Sequence, residues 1–227
     1  TIQYKNLPKD LINAVIVTED KRFFSHIGVD LKGIIRATYV NLKAGKIVQG
    51  GSTITQQLAK NLFLTPERSF TRKLHELILS FWLEMRFTKQ QLLSIYLNRV
   101  YLGSGTYGVQ AASEKYFNKK VEELNLYECA LIASLLKAPS KYNPISNEKL
   151  SRIRTSKVLE NMAKNKLITI RNVKEAQLNN KKYDKFTSAP KSTRYFVDWL
   201  LPRVKAYLGE INEDLIIRTT LDVQLQE

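Results

Sequence analysis

A nine-residue segment near the start of the chain concentrates side chains that can move protons. Residues 18–26 hold the carboxylates Glu19 and Asp20, two cations, two phenylalanines and His26. Burial beside aromatic rings raises the pKa of a carboxyl group and nearby cations lower it, so their balance can set a general base. The segment therefore suits the wall of a catalytic cleft. Taken alone, such a segment is more often the solvated end of a helix.

The histidines do not point to a metal. His26 has no metal-site spacing to His75, the only other histidine in the chain. A structural hydrogen bond is therefore the expected role of His26, and neither ring is assigned to a metal.

A second segment, residues 50–58, places two glycines ahead of hydroxyl and amide side chains at a predicted helix start. Backbone amides at a helix N-terminus bind phosphate well, which makes Ser52 and Gln57 candidate ligands. The segment is not a Walker A loop, because no lysine follows at the required position. A plain N-cap turn explains it equally well.

A basic series follows the second segment and ends at a second carboxylate, Glu76. Its members are Lys60, Arg68, Arg72 and Lys73. Arg72 and Lys73 lie three or four residues from Glu76 and share its helix face. On an isolated helix such a pattern is usually a surface ion-pair ladder worth about a few tenths of a kcal/mol per pair.

The composition is that of a basic globular protein. The 227 residues suffice for one domain, or one domain and the start of a second. Thirty-six Lys and Arg against 21 Asp and Glu give a net charge of +15. Such a surface favours nucleic acid, anionic lipid headgroups or a phosphorylated substrate. The single Cys129 excludes an internal disulfide and is expected to be buried.

No apolar run approaches the roughly 18 to 20 residues that cross a bilayer. The chain begins at Thr1 without a signal-peptide pattern, so we expect a trimmed fragment with any anchor upstream. An apolar stripe around Ile34, Ile35 and residues 39–42 could dip into a bilayer, but ordinary core is the commoner interpretation.

The elements that must position these residues are predicted to be helical throughout. An opening helix after Pro8 carries Leu11, Ala14, Val15 and Thr18 on one face and ends at Glu19. The strongest pattern runs over 69–87, where Leu74, Leu77, Ile78, Phe81 and Met85 form an apolar face opposite Arg72, Lys73 and Glu76. Thr88 and Gln91 form a capping box before the next helix. The remaining predicted helices are 53–61, 89–101, 108–117, 124–137, 147–165, 170–178 and 194–208.

The end of the chain changes character. Residues 179–193 are rich in Lys, Ser and Asn and predict a linker, and the β-branched residues at 215–220 predict a short strand. A second domain is expected to begin there and to be cut short.

Taken in order, five groups of residues resemble the peptidoglycan glycosyltransferases, glycosyltransferase family 51. The groups are residues 19–24 with His26, Gly28 and Asp30; residues 50–57; Arg72, Lys73 and Glu76; Lys89 with residues 96–98; and Arg154 with Val158 and Leu159. The resemblance covers residues 1–180 and implies a lysozyme-like, mostly α domain with a large lobe and a small membrane-proximal jaw lobe. Residues 181–227 resemble the linker into the truncated transpeptidase side of class A penicillin-binding proteins.

The resemblance also implies a reaction. A growing glycan chain on undecaprenyl pyrophosphate is the donor and lipid II is the acceptor, and the β-1,4 bond forms with inversion at the bacterial membrane's outer face. Glu19 is implied as the general base, and Glu76 as a second carboxylate that could help hold a divalent cation, Mg²⁺ or Mn²⁺. No organic cofactor is implied, and other cell wall synthesis proteins are possible partners.

The resemblance also gives the remaining site residues their roles. Lys60, Arg68, Arg72 and Lys73 would offset pyrophosphate charge, and Ser52, Gln57 and Asn98 would position sugar or phosphate.

Two alternatives remain. A basic helical module could bind nucleic acid, which predicts salt-sensitive binding and no effect of replacing Glu19. A lysozyme-like enzyme could instead cleave glycan with two carboxylates. Cleaving a neutral glycan needs no basic wall, whereas a pyrophosphate leaving group does.

Overall fold

The structure of the protein, a computed structural model, describes residues 1–46, 50–64 and 69–179. It also describes positions 196, 199, 200, 203, 204, 217 and 219–222. The chain divides into two compact units, residues 1–184 and 185–227. All elements discussed below belong to the first unit.

The described part of the first unit is mostly α, which confirms the predicted fold class. Its helices are α1 (Lys9–Glu19), α2 (Leu31–Ala44), α3 (Ile54–Phe63), α4 (Phe70–Arg86), α5 (Lys89–Arg99), α6 (Val109–Phe117), α7 (Leu126–Leu135), α8 (Glu148–Lys164) and α9 (Ile170–Asn179). Strands β1 (Tyr101–Gly103) and β2 (Thr106–Tyr107) form an antiparallel hairpin. None of the helices described is both long enough and apolar enough to span a membrane.

Helix α7 lies at the centre of the core, where every residue from Tyr127 to Leu135 is buried. Helices α1 and α8 pack against α7, and Leu11, Ala14 and Val15 of α1 are fully enclosed. A second group forms where α3 packs against α4 and α5. Helix α1 therefore holds Glu19 at its C-terminal end from a rigid, buried support.

The first turn of α3 is fixed by a capping box. The Thr53 hydroxyl accepts from the Gln56 amide at 3.1 Å, and the Gln56 side chain accepts from the Thr53 amide at 3.1 Å. Thr53 also donates to the Gly28 carbonyl at 2.5 Å, so it joins α3 to the turn after α1. The predicted box of Thr88 and Gln91 is confirmed on α5, where it is exposed.

Replacing Thr53 by Ala should lower the free energy of unfolding more than replacing Thr88 by Ala. Each change removes a capping hydroxyl, which costs about 1 kcal/mol. Thr53 is 1% exposed and loses a buried long-range bond as well, which adds about 1 kcal/mol. Urea unfolding of both variants measures the difference, and equal losses would contradict the role given to the Gly28 bond.

Two elements differ from the prediction. Helix α2 was not among the predicted helices, and α5 ends at Arg99 before an unpredicted hairpin. Glycines with positive φ at Gly103, Gly105 and Gly108 end the helical pattern. A Cβ at Gly108 would lie 2.5 Å from the Asn98 carbonyl oxygen, so only glycine permits this close approach.

The apolar face of α4 is exposed. Met85 is 76% exposed and Leu74 57%, whereas Glu76 on the opposite face is 4% exposed. An amphipathic surface helix normally packs its apolar face on the core. Here the polar face of α4 packs on α3, where its side chains find hydrogen-bond partners. Glu84 of α4, for example, accepts from the Thr55 hydroxyl of α3 at 2.6 Å.

The apolar stripe on α2 is exposed too, so its interpretation as ordinary core is wrong. Ile35 is 70% exposed and Leu42 77%. The predicted linker at 179–193, helix at 194–208 and strand at 215–220 lie almost entirely outside the described residues.

Candidate active site

A cleft of about 590 Å³ opens at the C-terminal end of α1. One side is formed by residues 50–53 and α3, and the other by α8 and the residues after α7. Four predicted site residues line it: Glu19, Ser52, Gln57 and Lys60. The sequence therefore identified one side of the cleft and the carboxylate between the two sides.

The Glu19 carboxylate is held by a relay of two hydrogen bonds. The Gln57 amide nitrogen donates to Glu19 Oε2 at 2.9 Å, and the buried Tyr96 hydroxyl donates to Gln57 Oε1 at 3.0 Å. Burial, and then the charge of Glu19, raise the pKa of Tyr96 well above its ordinary value, so the hydroxyl stays a donor. Because Tyr96 occupies the amide oxygen, the NH₂ of Gln57 faces Glu19.

The relay gives Gln57 a contact that the sequence did not predict, because its amide holds the Glu19 carboxylate in place. The predicted role of Gln57 in positioning sugar or phosphate stays a prediction.

Some neighbours of Glu19 raise the pKa of its carboxyl group and others lower it. Burial raises the pKa of Glu19 above its ordinary 4.5. The hydrogen bond from Gln57 and the charges of Arg154 and Lys137 act in the opposite direction. A partly desolvated carboxylate that stays accessible from a cleft suits a general base.

Replacing Glu19 by Gln should raise the free energy of unfolding at neutral pH. The folded pKa lies above 4.5, so at high pH the folded protein carries a carboxylate that burial disfavours. That penalty disappears as the pH falls through the raised pKa towards 4.5, and glutamine can still accept from Gln57. Urea unfolding at several pH values should therefore show a gap that closes on acidification. The exposed Glu122→Gln serves as the control, and a gap that widens at low pH would contradict the expected sign.

Asp20 fixes the end of α1 to the start of α3. Its buried carboxylate accepts from the Ile54 amide at 3.1 Å and contacts His26 Nε2 at 2.9 Å. The structural hydrogen bond predicted for His26 is thus confirmed.

Glu76 lies in a cluster with two cations. Lys73 Nζ is 2.6 Å from Glu76 Oε2 and 3.0 Å from Ser52 Oγ, which connects the cluster to the cleft. Arg72 Nε is 3.4 Å from Glu76 Oε1. Both carboxylate oxygens thus face cations, and the described residues contain no group of three or more His, Cys, Asp or Glu suited to a metal. The predicted metal role of Glu76 does not fit this arrangement.

Asn98 is not among the residues that line the cleft. The Asn98 amide donates to the carbonyl oxygens of Ile2 at 2.8 Å and Ser94 at 2.7 Å, and its oxygen accepts from the Ile2 amide at 2.8 Å. These bonds secure the first residues of the chain, and the substrate role of Asn98 stays a prediction. Arg68 lies outside the described residues.

The opposite side of the cleft was missed as a binding site. It carries Lys137, Arg154, Lys157 and Asn161, which we call the α8 wall. The last three share one helix face, because they are spaced three and four residues apart. This spacing is the feature of the sequence that could have predicted the α8 wall. In the sequence, Arg154 belongs to the fifth group of the resemblance.

The comparisons with known proteins agree on one family. A family model described as Transglycosylase matches residues 1–163. Penicillin-binding protein 1A of Aquifex aeolicus (strain VF5) is 45% identical over 233 residues, which cover 100% of this chain and 31% of that protein. Penicillin-binding protein 1A of Neisseria flavescens is 40% identical over 224 residues, covering 97% and 28%.

A solved structure agrees with these relatives. The crystal structure of Penicillin-Binding Protein 1A from Haemophilus influenzae gives a TM-score of 0.53 at 25% identity, covering 93% of this chain and 21% of that one. The chain therefore spans about a third or less of the length of each of these relatives.

Proposed function

Because this chain belongs to the transglycosylase family, we propose that it polymerises lipid II into β-1,4-linked glycan strands of the bacterial cell wall. The family makes it a glycosyltransferase domain. The observation that carries the choice of substrate is a partly desolvated carboxylate, Glu19, in a cleft with basic groups on both sides. A lipid-linked pyrophosphate donor needs both the base and the positive charge.

Glu19 takes the proton from the acceptor's 4-hydroxyl while that oxygen attacks the anomeric carbon of the donor. The bond from the anomeric carbon to the pyrophosphate oxygen breaks, and undecaprenyl pyrophosphate leaves with that electron pair. One displacement inverts the anomeric centre, and no covalent intermediate on the enzyme is needed. The relay from Tyr96 through Gln57 keeps the carboxylate oriented for this transfer.

The leaving pyrophosphate lies, in this proposal, at the side of the cleft formed by α3 and residues 50–53. Lys60 lines that side, and Ser52 is the neighbour of the Lys73 ammonium. Positive groups fixed before the reaction stabilise charge that develops on a leaving group, because they need not reorganise. Glu76 holds Lys73 and Arg72 in place and so acts on the substrate through them.

The domain works, in this proposal, on the outer face of the cytoplasmic membrane. The exposed apolar residues of α2 and α4 support this location, since large apolar surface on one region marks an interaction site. The net charge of +15 supports it as well, because anionic headgroups attract basic surfaces.

Replacing Ile35 and Leu42 together by Ser should weaken binding to vesicles of mixed zwitterionic and anionic lipid. Burying one such side chain in an apolar phase contributes about 1.5–3 kcal/mol, so each loss weakens binding by roughly tenfold or more. Vesicle co-sedimentation measures the change. Ile153→Ser on α8, which removes a similarly exposed isoleucine, is the matched control. Equal binding by all variants would show that α2 is not part of the surface that binds the membrane.

The proposed reaction is tested with labelled lipid II in detergent and, separately, with finished glycan. We expect the purified domain to convert lipid II into long glycan and to leave finished glycan intact. Release of short sugars from finished glycan without polymer would instead identify a glycan-cleaving enzyme.

A further inference from the structure

Glu19 lies in a cleft with basic residues on two sides. The proposed function uses only one side, the one that binds the donor pyrophosphate. Ser52 and Lys60 form the side assigned to the donor pyrophosphate, while the α8 wall faces it. Arg154 and Lys137 of that wall are close enough to act electrostatically on Glu19. A substrate that reacts at Glu19 could therefore place an anionic group against the α8 wall at the same time.

Two cations of the α8 wall, Lys137 and Arg154, form no salt bridge within the part of the chain that the structure describes. Lys73 and Arg72 face Glu76, and Lys157 is 3.2 Å from Glu160. For Lys137 and Arg154 the acidic influence is the longer-range attraction to Glu19, and neither is engaged by a direct ion pair among the described residues.

Arg154 carries a buried donor that lacks an acceptor. Its Nε is buried without a hydrogen-bond partner among the described residues, and its guanidinium lies 5.8 Å from the centroid of the Tyr142 ring. The Thr18 hydroxyl, also in the cleft lining, is buried without a partner as well. Leaving a charged donor buried and unsatisfied is costly, so this geometry favours an anionic ligand with oxygen acceptors.

We propose that Lys137 and Arg154 form a second anion subsite, which binds a free carboxylate of the peptide carried by the acceptor sugar. The proposal rests on the function proposed above. Arginine and lysine are the usual partners of carboxylates, and an arginine can bind both carboxylate oxygens.

The position of the α8 wall favours a peptide carboxylate over a second pyrophosphate. The two largest groups of exposed apolar side chains are on α2 and α4, and α4 packs against α3, the helix of the donor side. A pyrophosphate attached to a lipid must stay next to the bilayer. The α8 wall belongs instead to the helix group that packs around α1 and α7. A peptide extending from the sugar can reach that group while its lipid stays in the membrane.

The test compares two lipid-linked acceptors that differ only in whether the free carboxylates of the peptide are amidated. Wild type should show a KM for the amidated acceptor that is roughly tenfold or more higher, the value of a charge-assisted hydrogen bond. Lys137→Gln and Arg154→Gln should each lose most of this preference. Lys164→Gln, an exposed lysine at the end of α8, should keep it.

The comparison separates the subsite from the base. A change that acts only through the charge of Glu19 alters turnover of both acceptors alike and leaves their ratio unchanged. A wild-type protein that uses both acceptors equally, or variants that lose activity with an unchanged ratio, would overturn the subsite. A wild-type protein that polymerises neither acceptor would overturn the proposed function itself.

Discussion

Replacing Glu19 by Gln should reduce the rate of lipid II polymerisation by roughly 10²- to 10⁴-fold, the contribution of a positioned general base. Glutamine has nearly the same shape and can still accept the hydrogen bond from Gln57, so the fold and the cleft should remain. Without a carboxylate, no group at this position removes the proton from the attacking hydroxyl. The rate of glycan formation from labelled lipid II measures the effect, and Glu122→Gln is the matched surface control.

The pH dependence of the wild type gives an independent check on the same residue. A general base must be deprotonated, so turnover should fall as the pH drops through the pKa of Glu19. Burial raises that pKa, and the midpoint of the fall should therefore lie above 4.5. Arg154→Gln removes a positive charge that lowers the pKa and should move the midpoint to higher pH.

Two outcomes would contradict the assignment of Glu19. One is a Glu19→Gln variant with nearly full activity, which is what a nucleic-acid-binding module would show for its own function. The other is a wild-type profile without an acid limb, or one that the Arg154→Gln variant does not change.

The position of Glu19 at the cleft was predictable because its signal in the sequence is local. The helical spacing of Leu11, Ala14 and Val15 fixes the buried face of α1, and a helix with that face buried must end with Glu19 near the core. The helix start within residues 50–57 was predictable for the same reason, since an N-cap turn is a short-range pattern. Both predictions needed only neighbours within a few residues.

The hydrogen-bond relay that holds Glu19 could not be predicted from local sequence pattern. Tyr96 and Gln57 are 39 residues apart and meet only because α5 packs against α3. The resemblance did include Tyr96, but it could not say that the hydroxyl reaches Glu19 through an amide. Asn98, two residues away, points to Ile2 instead, which shows how one helix can support two different tasks.

The predicted face of α4 shows a different limit. Helical periodicity separates an apolar side from a polar side but does not say which side is buried. For most soluble proteins the apolar side is the correct choice. Here the polar side buries Glu76, and the apolar side stays exposed among the residues that the structure describes.

The pair of Lys73 and Glu76 should provide the second large effect. Lys73→Gln removes a fixed positive charge beside Ser52 and should lower turnover by roughly 10²- to 10³-fold, as the loss of one preorganised electrostatic group does. Lys73→Arg should recover part of the activity, because it keeps the charge. Lys115→Gln on α6 is the control for loss of an exposed lysine.

A double-mutant cycle then decides what Glu76 does. Glu76 is 4% exposed and contacts Lys73 and Arg72, so we propose that it acts through those cations. If it only positions Lys73, then Glu76→Gln should cost far less in a Lys73→Gln background than in the wild type. If Glu76 contacts the reacting groups itself, the two losses should multiply. The single Glu76→Gln variant cannot distinguish these cases, because removing one partner of a buried pair also destabilises the fold, so its unfolding transition must be measured beside its rate.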